Sequence, residues 1–281
     1  VRRLAKIVCL SFLFPSVTLA YSPLNTDDAG TIAKGSNQIE QYFFSLLQVG
    51  QDSSSENAVS SGEDFRGIGD ATAFPLSFSR GLTNDIELNF SPTYYLQPLG
   101  NFSRVSNYTL NLKWRFVGDG EKGLNLAVRP TLIAPASTTQ QEYGIGNANW
   151  NYGLNLIASQ LADGYEIHMN AGYTRAPYNG NYLVGMSPDP SRTNLYYFSV
   201  APVWKVTDQF KLAIDVGFGT NPAEPATSLT TYGQIALIYS PDKNIDLGLS
   251  YQRNAPSFEV SLGGAGAYTS RIQAGVTYRF D

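Results

Sequence analysis

Six stretches of this 281-residue chain alternate apolar and polar side chains one by one, and that period of two sets what the chain can fold into. In 86–96, Ile86, Leu88, Phe90, Pro92, Tyr94 and Leu96 share one face, with Glu87, Asn89, Ser91, Thr93 and Tyr95 on the other. In 107–117, Tyr108, Leu110, Leu112, Trp114 and Phe116 oppose Asn107, Thr109, Asn111, Lys113 and Arg115. The stretches 123–133, 165–174, 210–218 and 271–280 repeat the pattern. A helix would gather apolar residues at i, i+3 and i+4; a strand sends successive side chains to opposite faces. These segments are amphipathic strands.

Short connectors carrying Gly, Asp or Asn fall near 81–85, 118–122, 162–164, 206–209 and 241–244. Longer ones lie near 49–68, 98–104, 135–148, 177–192, 220–228 and 255–267. Five short turns and six long loops join twelve strands, predicted at 36–48, 70–80, 85–97, 104–117, 123–134, 149–161, 165–176, 193–205, 209–219, 229–240, 244–254 and 268–280. The first, second and eighth of these alternate least cleanly, which leaves their facing open. The chain carries 18 Tyr, 15 Phe and 26 Gly, yet after residue 20 it has no long apolar run. A closed barrel that shows lipid one side chain and its lumen the next reconciles those facts. A soluble β-sandwich would not need apolar faces on nearly every strand. The expected fold is all-β, a transmembrane antiparallel up-and-down β-barrel of about twelve strands with both termini periplasmic.

The N-terminus fits export to the outer membrane of a Gram-negative bacterium. Arg2, Arg3 and Lys6 precede the apolar run Ile7 to Phe14, and Thr18-Leu19-Ala20 offers small residues for signal peptidase. Residues 1–20 read as a cleaved signal peptide, 21–35 as an N-terminal periplasmic or lumen segment, and 36–281 as the barrel. Removing three basic residues leaves sixteen against twenty-three acidic ones, a mature charge of −7. That balance excludes a nucleic-acid partner, which calls for a basic patch. Cys9 is the only cysteine, so the mature chain has neither disulfides nor thiolate metal sites.

Aromatic residues order themselves by turn. Phe78, Phe116, Trp204 and Tyr239 each precede a short turn, and Tyr278 and Phe280 close the chain, as a girdle at one membrane interface would require. Trp150 and Tyr152 mark the opposite interface. Partners expected from this layout are outer-membrane lipid and lipopolysaccharide. The closing Val-Thr-Tyr-Arg-Phe-Asp resembles the aromatic-ended last strand recognised by the barrel-assembly machinery, with Asp281 added after the usual final Phe.

Gly67-Ile68-Gly69-Asp70-Ala71 recurs as Gly144-Ile145-Gly146-Asn147-Ala148, each time where a long loop returns to the wall. Neither copy follows a strand and opens a helix as a dinucleotide fingerprint must; glycine allows close backbone approach or a bulge there. Near the mature N-terminus stands Pro23-Leu24-Asn25-Thr26-Asp27-Asp28-Ala29-Gly30-Thr31-Ile32. The Thr26–Gly30 stretch, with Gly67, Gly69 and Asp70, resembles the outer-membrane protein family named for the meta-pathway of phenol degradation. That resemblance implies a small barrel passing hydrophobic or aromatic compounds. Asp27 and Asp28 fit best as a turn leading into the first strand. Pinning the segment inside the lumen is the other structural reading, and a calcium loop would need more oxygen ligands at regular spacing.

The alternation sends Glu87, Lys113, Arg115, Arg129, Glu166, His168, Lys211, Asp215, Asp246, Arg271 and Arg279 into the lumen. Such a mixed-sign set either braces the wall through internal ion pairs or forms a constriction that sorts solutes. His168 is the only histidine. Outer-membrane phospholipase, by its family pattern, has a serine two residues after its histidine on a lipid-facing strand; here that position is Asn170 and His168 faces inward. The expected protein is a non-enzymatic channel for a small-molecule solute, with no cofactor or metal, and with 21–35, 49–68 and 177–192 as candidate plugs. A non-conducting structural or adhesion barrel is the alternative, and a lipid hydrolase the third.

Overall fold

The computed structural model describes residues 22–50, 65–67, 69–187, 190–224 and 228–281. The expected signal peptide, Cys9, Ile68 and most of the 49–68 loop lie outside the described residues. The strands are β1 (Asn37–Val49), β2 (Ala71–Gly81), β3 (Ile86–Ser91), β4 (Thr93–Gln97), β5 (Thr109–Val117), β6 (Gly123–Ile133), β7 (Asn151–Ala162), β8 (Tyr165–Arg175), β9 (Asn194–Lys205), β10 (Phe210–Thr220), β11 (Leu229–Asp242), β12 (Ile245–Ala255) and β13 (Tyr268–Phe280). Each pairs antiparallel with its neighbours, and β1 closes the wall by pairing with both β13 and β2.

Twelve spans result, because β3 and β4 together make one. Both pair with β2, and the break falls at Pro92, which has no N–H to give the ladder while its carbonyl still accepts Leu76 N–H at 3.0 Å. The strand expected over 85–97 is therefore in two pieces. The strand expected over 104–117 begins only at Thr109. Residues 104–106 instead fold back on β4, with Tyr95 N–H donating to Arg104 O and Ser106 N–H to Thr93 O, both at 2.8 Å.

Outward positions carry half-exposed apolar side chains, such as Leu110, Leu112, Trp114 and Phe116 on β5 and Phe210, Leu212, Ile214 and Phe218 on β10. Inward positions are polar: Asn125 on β6, Ser159 on β7, His168 on β8 and Thr277 on β13 are sealed from solvent. A closed wall apolar outside and polar inside belongs in a bilayer. At the short-turn end Phe78, Phe116, Trp204 and Tyr278 point outward, Phe210 stacks on Tyr239 at 4.6 Å, and Tyr278 on Phe280 at 5.6 Å. Both ends of the wall, Asn37 and Phe280, meet there in register.

β1 and β9 defied the alternation because their inward faces are also apolar. On β1, Phe44 and Leu46 point inward to join Phe65, Ala71, Ala73, Tyr95 and Ile145 in a core under the long loops. On β9, Ala201 and Val203 are buried inside, where Val203 packs with Ala213, Ala236, Ile238 and Leu24.

The two glycine motifs meet at that upper core. Arg66 N–H donates to Gly144 O at 2.7 Å, and a Cβ on Gly144 would fall 2.1 Å from Gly67 N. Beside them α1 (Thr138–Glu142) starts with a capping box between Ser137 and Gln140. The next residue, Gln141, is sealed from solvent, and its amide donates to Asn179 O, Tyr182 O and Leu183 O at 3.0–3.2 Å. Gln140 donates to Ser103 O at 2.9 Å. Three long loops are thus tied into one lid. A second helical turn, α2 (Phe258–Ser261), lies over β11 and β12.

Candidate functional site: a plugged lumen

Residues 22–36 do not hang below the barrel; they climb into it from the short-turn end. Lys34 bridges to Gly81, the Thr31 hydroxyl donates to Asn84 O at 2.7 Å, and Ile32 N–H donates to Glu87 at 3.0 Å. Higher up, Ala29 N–H donates to the Ser159 hydroxyl at 2.8 Å, and Asn170 grips Asp27 from both sides of its peptide. On the opposite wall Asp215 accepts the N–H groups of Asn25 and Thr26, each at 2.8 Å, and the Tyr232 hydroxyl at 2.7 Å. Gln234 reaches Pro23 O at 2.6 Å. A backbone strand alone inside a lumen leaves its polar groups unmet by any ladder, and the wall side chains meet them one at a time.

Charge fixes the middle of the plug. Asp27 Oδ1 stands 3.0 Å from Lys113 Nζ, and its Oδ2 pairs with Arg129. Lys113 also lies 3.8 Å from Asp28 and 3.7 Å from Glu87. Three carboxylates therefore share two cations. Burial works to raise Asp27, but Lys113 and Arg129 outweigh it and hold the carboxyl below its ordinary range. Asp28 is pushed up to about 6, first by burial and then by the neighbouring Asp27 and Glu87, with Lys113 and His168 opposing. Its Oδ1 accepts Gly30 N–H at 2.7 Å, a local turn. The turn expected at Asp27 and Asp28 thus survives only at Asp28; Asp27 pins the segment, and with both oxygens taken by cations it is no calcium ligand.

The remaining lumen residues brace the wall in separate groups. Glu166 pairs with Lys211 at 3.0 Å and His168 at 3.3 Å. Asp246 pairs with Arg279, which also donates to Gln38 at 3.1 Å. Arg115 holds Asp85 at 2.8 Å in the turn before β3, and Arg271 lies over the Phe44 ring at 4.5 Å. Of the eleven charged or titratable lumen candidates, the structure brings Glu87, Lys113, Arg129 and Asp215 to the plug. Sequence reading missed Ser159, Asn170 and Gln234, which bond the plug's backbone, and Ser199, whose hydroxyl accepts the Thr26 hydroxyl at 2.8 Å; their only signal is being polar on an inward face.

Ser159, His168 and Glu166 are linked as a nucleophile, base and acid would be, with Ser159 Oγ 2.8 Å from His168 Nδ1. Both Ser159 and His168 are sealed from solvent, and the serine oxygen already accepts the plug's Ala29 N–H. A nucleophile needs access to an acyl carbon, and this one faces the plug.

Two cavities flank the plug. One of about 410 Å³ lies toward the long loops, with Asn107, Asn151, Thr174, Tyr197, Tyr232 and Asn254 in its wall. The other, about 220 Å³, lies toward the short turns, between the plug and Glu40, Ser77, Ser79, Glu87, Asn89 and Asn111. Asn25 and Arg129 line both, so the plug and one arginine form the partition.

A closed twelve-span wall, an apolar outer band and a polar, plugged lumen define a transmembrane β-barrel of the outer-membrane type. Among solved structures the chain is similar to an outer-membrane channel from Pseudomonas putida F1 (14% identity, TM-score 0.62, covering 90% of this chain and 98% of that one). It is also similar to the NanC porin (12%, 0.53, covering 85% and 98%) and to the KdgM porin in complex with disordered oligogalacturonate (12%, 0.51, covering 86% and 99%). At such identities the likeness is one of fold. No family model and no curated protein matches the sequence, so the phenol meta-pathway resemblance rests on its two motifs.

Proposed function

We propose that this protein is an outer-membrane channel through which small solutes diffuse passively, with residues 22–35 as the element that narrows the path. The observation that carries the reading is the pair of cavities that abut at Asn25 and Arg129. A barrel kept for structure alone gains nothing from two solvent-sized chambers in line along its axis. The solute class we favour is small aromatic compounds, and of these the ones bearing carboxyl or hydroxyl groups. A single ring fits a chamber of about 410 Å³ walled by Tyr197, Tyr232 and amide side chains, with Arg129 offering a guanidinium at its floor. The fold likeness to channels and the motif resemblance support this reading, as does the mixed sign of the lumen charges, which favours no single ion type.

Single-channel recording in planar bilayers tests it. Wild-type protein is expected to give small conductance steps that benzoate or a hydroxybenzoate partly blocks from the long-loop side. Asp27→Ala combined with Asp215→Asn releases both halves of the plug and is expected to enlarge the steps several-fold. Silence from both proteins, each migrating as a folded heat-modifiable barrel, would favour the non-conducting reading to which the plug's many hydrogen bonds also lend weight.

A further inference from the structure

The two cations that hold Asp27 differ in standing. The Lys113 side chain is 3% exposed and lies 3.0, 3.8 and 3.7 Å from Asp27, Asp28 and Glu87. The Arg129 side chain is 29% exposed, lines both chambers, and among the described residues pairs with Asp27 alone. That pairing is single-ended. Arg129 Nη1 donates to Asp27 Oδ2 at 2.5 Å, while Nε finds no hydrogen-bond partner among the described residues. A guanidinium can grip a carboxylate through two parallel bonds. With the plug lifted, Lys113 still has Glu87, whereas Arg129 is left without a carboxylate among the described residues.

The chamber on the long-loop side of Arg129 has room for a ring beside that charge. Tyr197 stands next to the guanidinium and directly opposite Gly172 in the ladder, where a Cβ would fall 1.9 Å from its ring. Tyr232 stands opposite Gly217, where a Cβ would fall 2.6 Å from its ring. Each ring lies over a glycine of the neighbouring strand, along the wall rather than across the lumen, and the chamber of about 410 Å³ stays open between them. We propose that the carboxylate of an aromatic solute displaces Asp27 from Arg129, so that Asp27 is a built-in competitor and the solute unlocks the middle of its own plug. The proposal rests on the channel reading and adds to it how the path is opened. A second carboxylate on Arg129 leaves Asp27, Asp28 and Glu87 to share Lys113, and that crowding of like charge lifts the segment. Asp215 keeps Asn25 and Thr26, so the plug loosens about a held end, and a ring seated on Arg129 still obstructs small ions.

Hydrogen exchange of the plug reads this directly, because its N–H groups are bonded to the wall. Wild-type barrel in detergent at neutral pH is exchanged with sodium benzoate, with benzamide, or with sodium chloride at the same concentration, and the peptide spanning 22–35 is followed by mass spectrometry. Benzoate is expected to speed exchange in that peptide roughly five-fold or more while the wall strands stay protected, and neither control is expected to do so. Asp27→Asn removes the competitor, and is expected to bind benzoate about ten-fold more tightly than wild type in equilibrium dialysis. Plug exchange that benzoate leaves unchanged or slows, an equal effect of benzamide or chloride, or unchanged or weaker benzoate binding by Asp27→Asn overturns the proposal. Should that variant not give a heat-modifiable barrel, the wild-type comparison decides alone. Conductance steps from a protein whose plug ignores benzoate would sink solute-driven release and leave the channel; release by benzoate in a protein silent in bilayers would do the reverse.

Discussion

Asp27 puts one oxygen on Lys113 and the other on Arg129, whereas Asp28, next in the chain, has no cation of its own. The two carboxyls therefore respond to pH in opposite senses. Asp28, raised to about 6 in the docked plug, adds docking strength that is full below its ordinary 3.8 and is lost as pH rises through 6. Asp27, held low, adds strength present above 3.8 and lost only as pH falls through its depressed value. The groups facing the pair are Lys113 from β5, Glu87 from β3, Arg129 from β6 and His168 from β8. Docking is thus tightest at mildly acid pH; its equilibrium is expected to weaken between pH 5 and 7.5 by up to about ten-fold, and conductance of the wild type to rise over that window by no more than full release of the plug gives. Asp28→Asn removes the ionisation and is expected to flatten the profile over that window; an unchanged slope would remove Asp28 from the account. Little of this was legible beforehand. The sequence places Thr-Asp-Asp-Ala-Gly before the first strand, but the partners of Asp27 lie 86 and 102 positions away, and no local pattern points to them.

At the scale of elements, the strands whose outer face meets hydrocarbon and whose inner face meets water were legible to within a residue or two, as β6, β8, β10 and β13 illustrate. The bounds of β1 and β9 were read as closely, but not their facing, because their inner faces pack on Phe65 and Ile145 at one level and on Leu24 at another, so both faces carry apolar residues. The break at Pro92 carried a signal in the proline itself, and Ser137 with Gln140 three residues on is a helix start in sequence. The glycine echo was read as a place for close backbone approach; that the two copies approach each other is a matter of tertiary structure. It yields a prediction: Gly144 has φ +73° and its Cβ would strike Gly67 backbone, so Gly144→Ala is expected to loosen the lid by about 1–3 kcal/mol. Limited proteolysis on intact cells checks this, with faster cutting in the loop around residues 176–193 and an unchanged heat-modifiable barrel. Equal cutting in both proteins would mean that the lid does not depend on the glycine contact.

Over the whole molecule, the number of spans and the closure followed from turn spacing, since an even count returns the last strand to the first. The occupant of the lumen was narrowed only to three candidate segments, of which the structure seats the N-terminal one, because alternation describes a wall and is silent about what the wall surrounds. The plug's hydrogen bonds and ion pairs come from β3 and from every strand from β5 to β12 as well as from β1. Their sequence separations run from 20 to 227 residues. A barrel lacking residues 22–35 keeps every strand pairing, and is expected to refold into detergent and show heat-modifiable migration as the intact chain does. In the intact chain, quenching of a fluorophore placed on the plug is expected to lag behind the appearance of that migration; simultaneous signals would mean that the plug helps to build the wall.

Because its seat is assembled from nearly the whole circumference, the N-terminal segment has nowhere to rest until β13 has met β1. A freshly inserted barrel is therefore an unstoppered hole in the envelope for as long as fourteen residues take to find their place. The leak a cell tolerates while making this protein depends on that interval, and the direct run of the segment through Ser36 into the barrel's first strand keeps it brief.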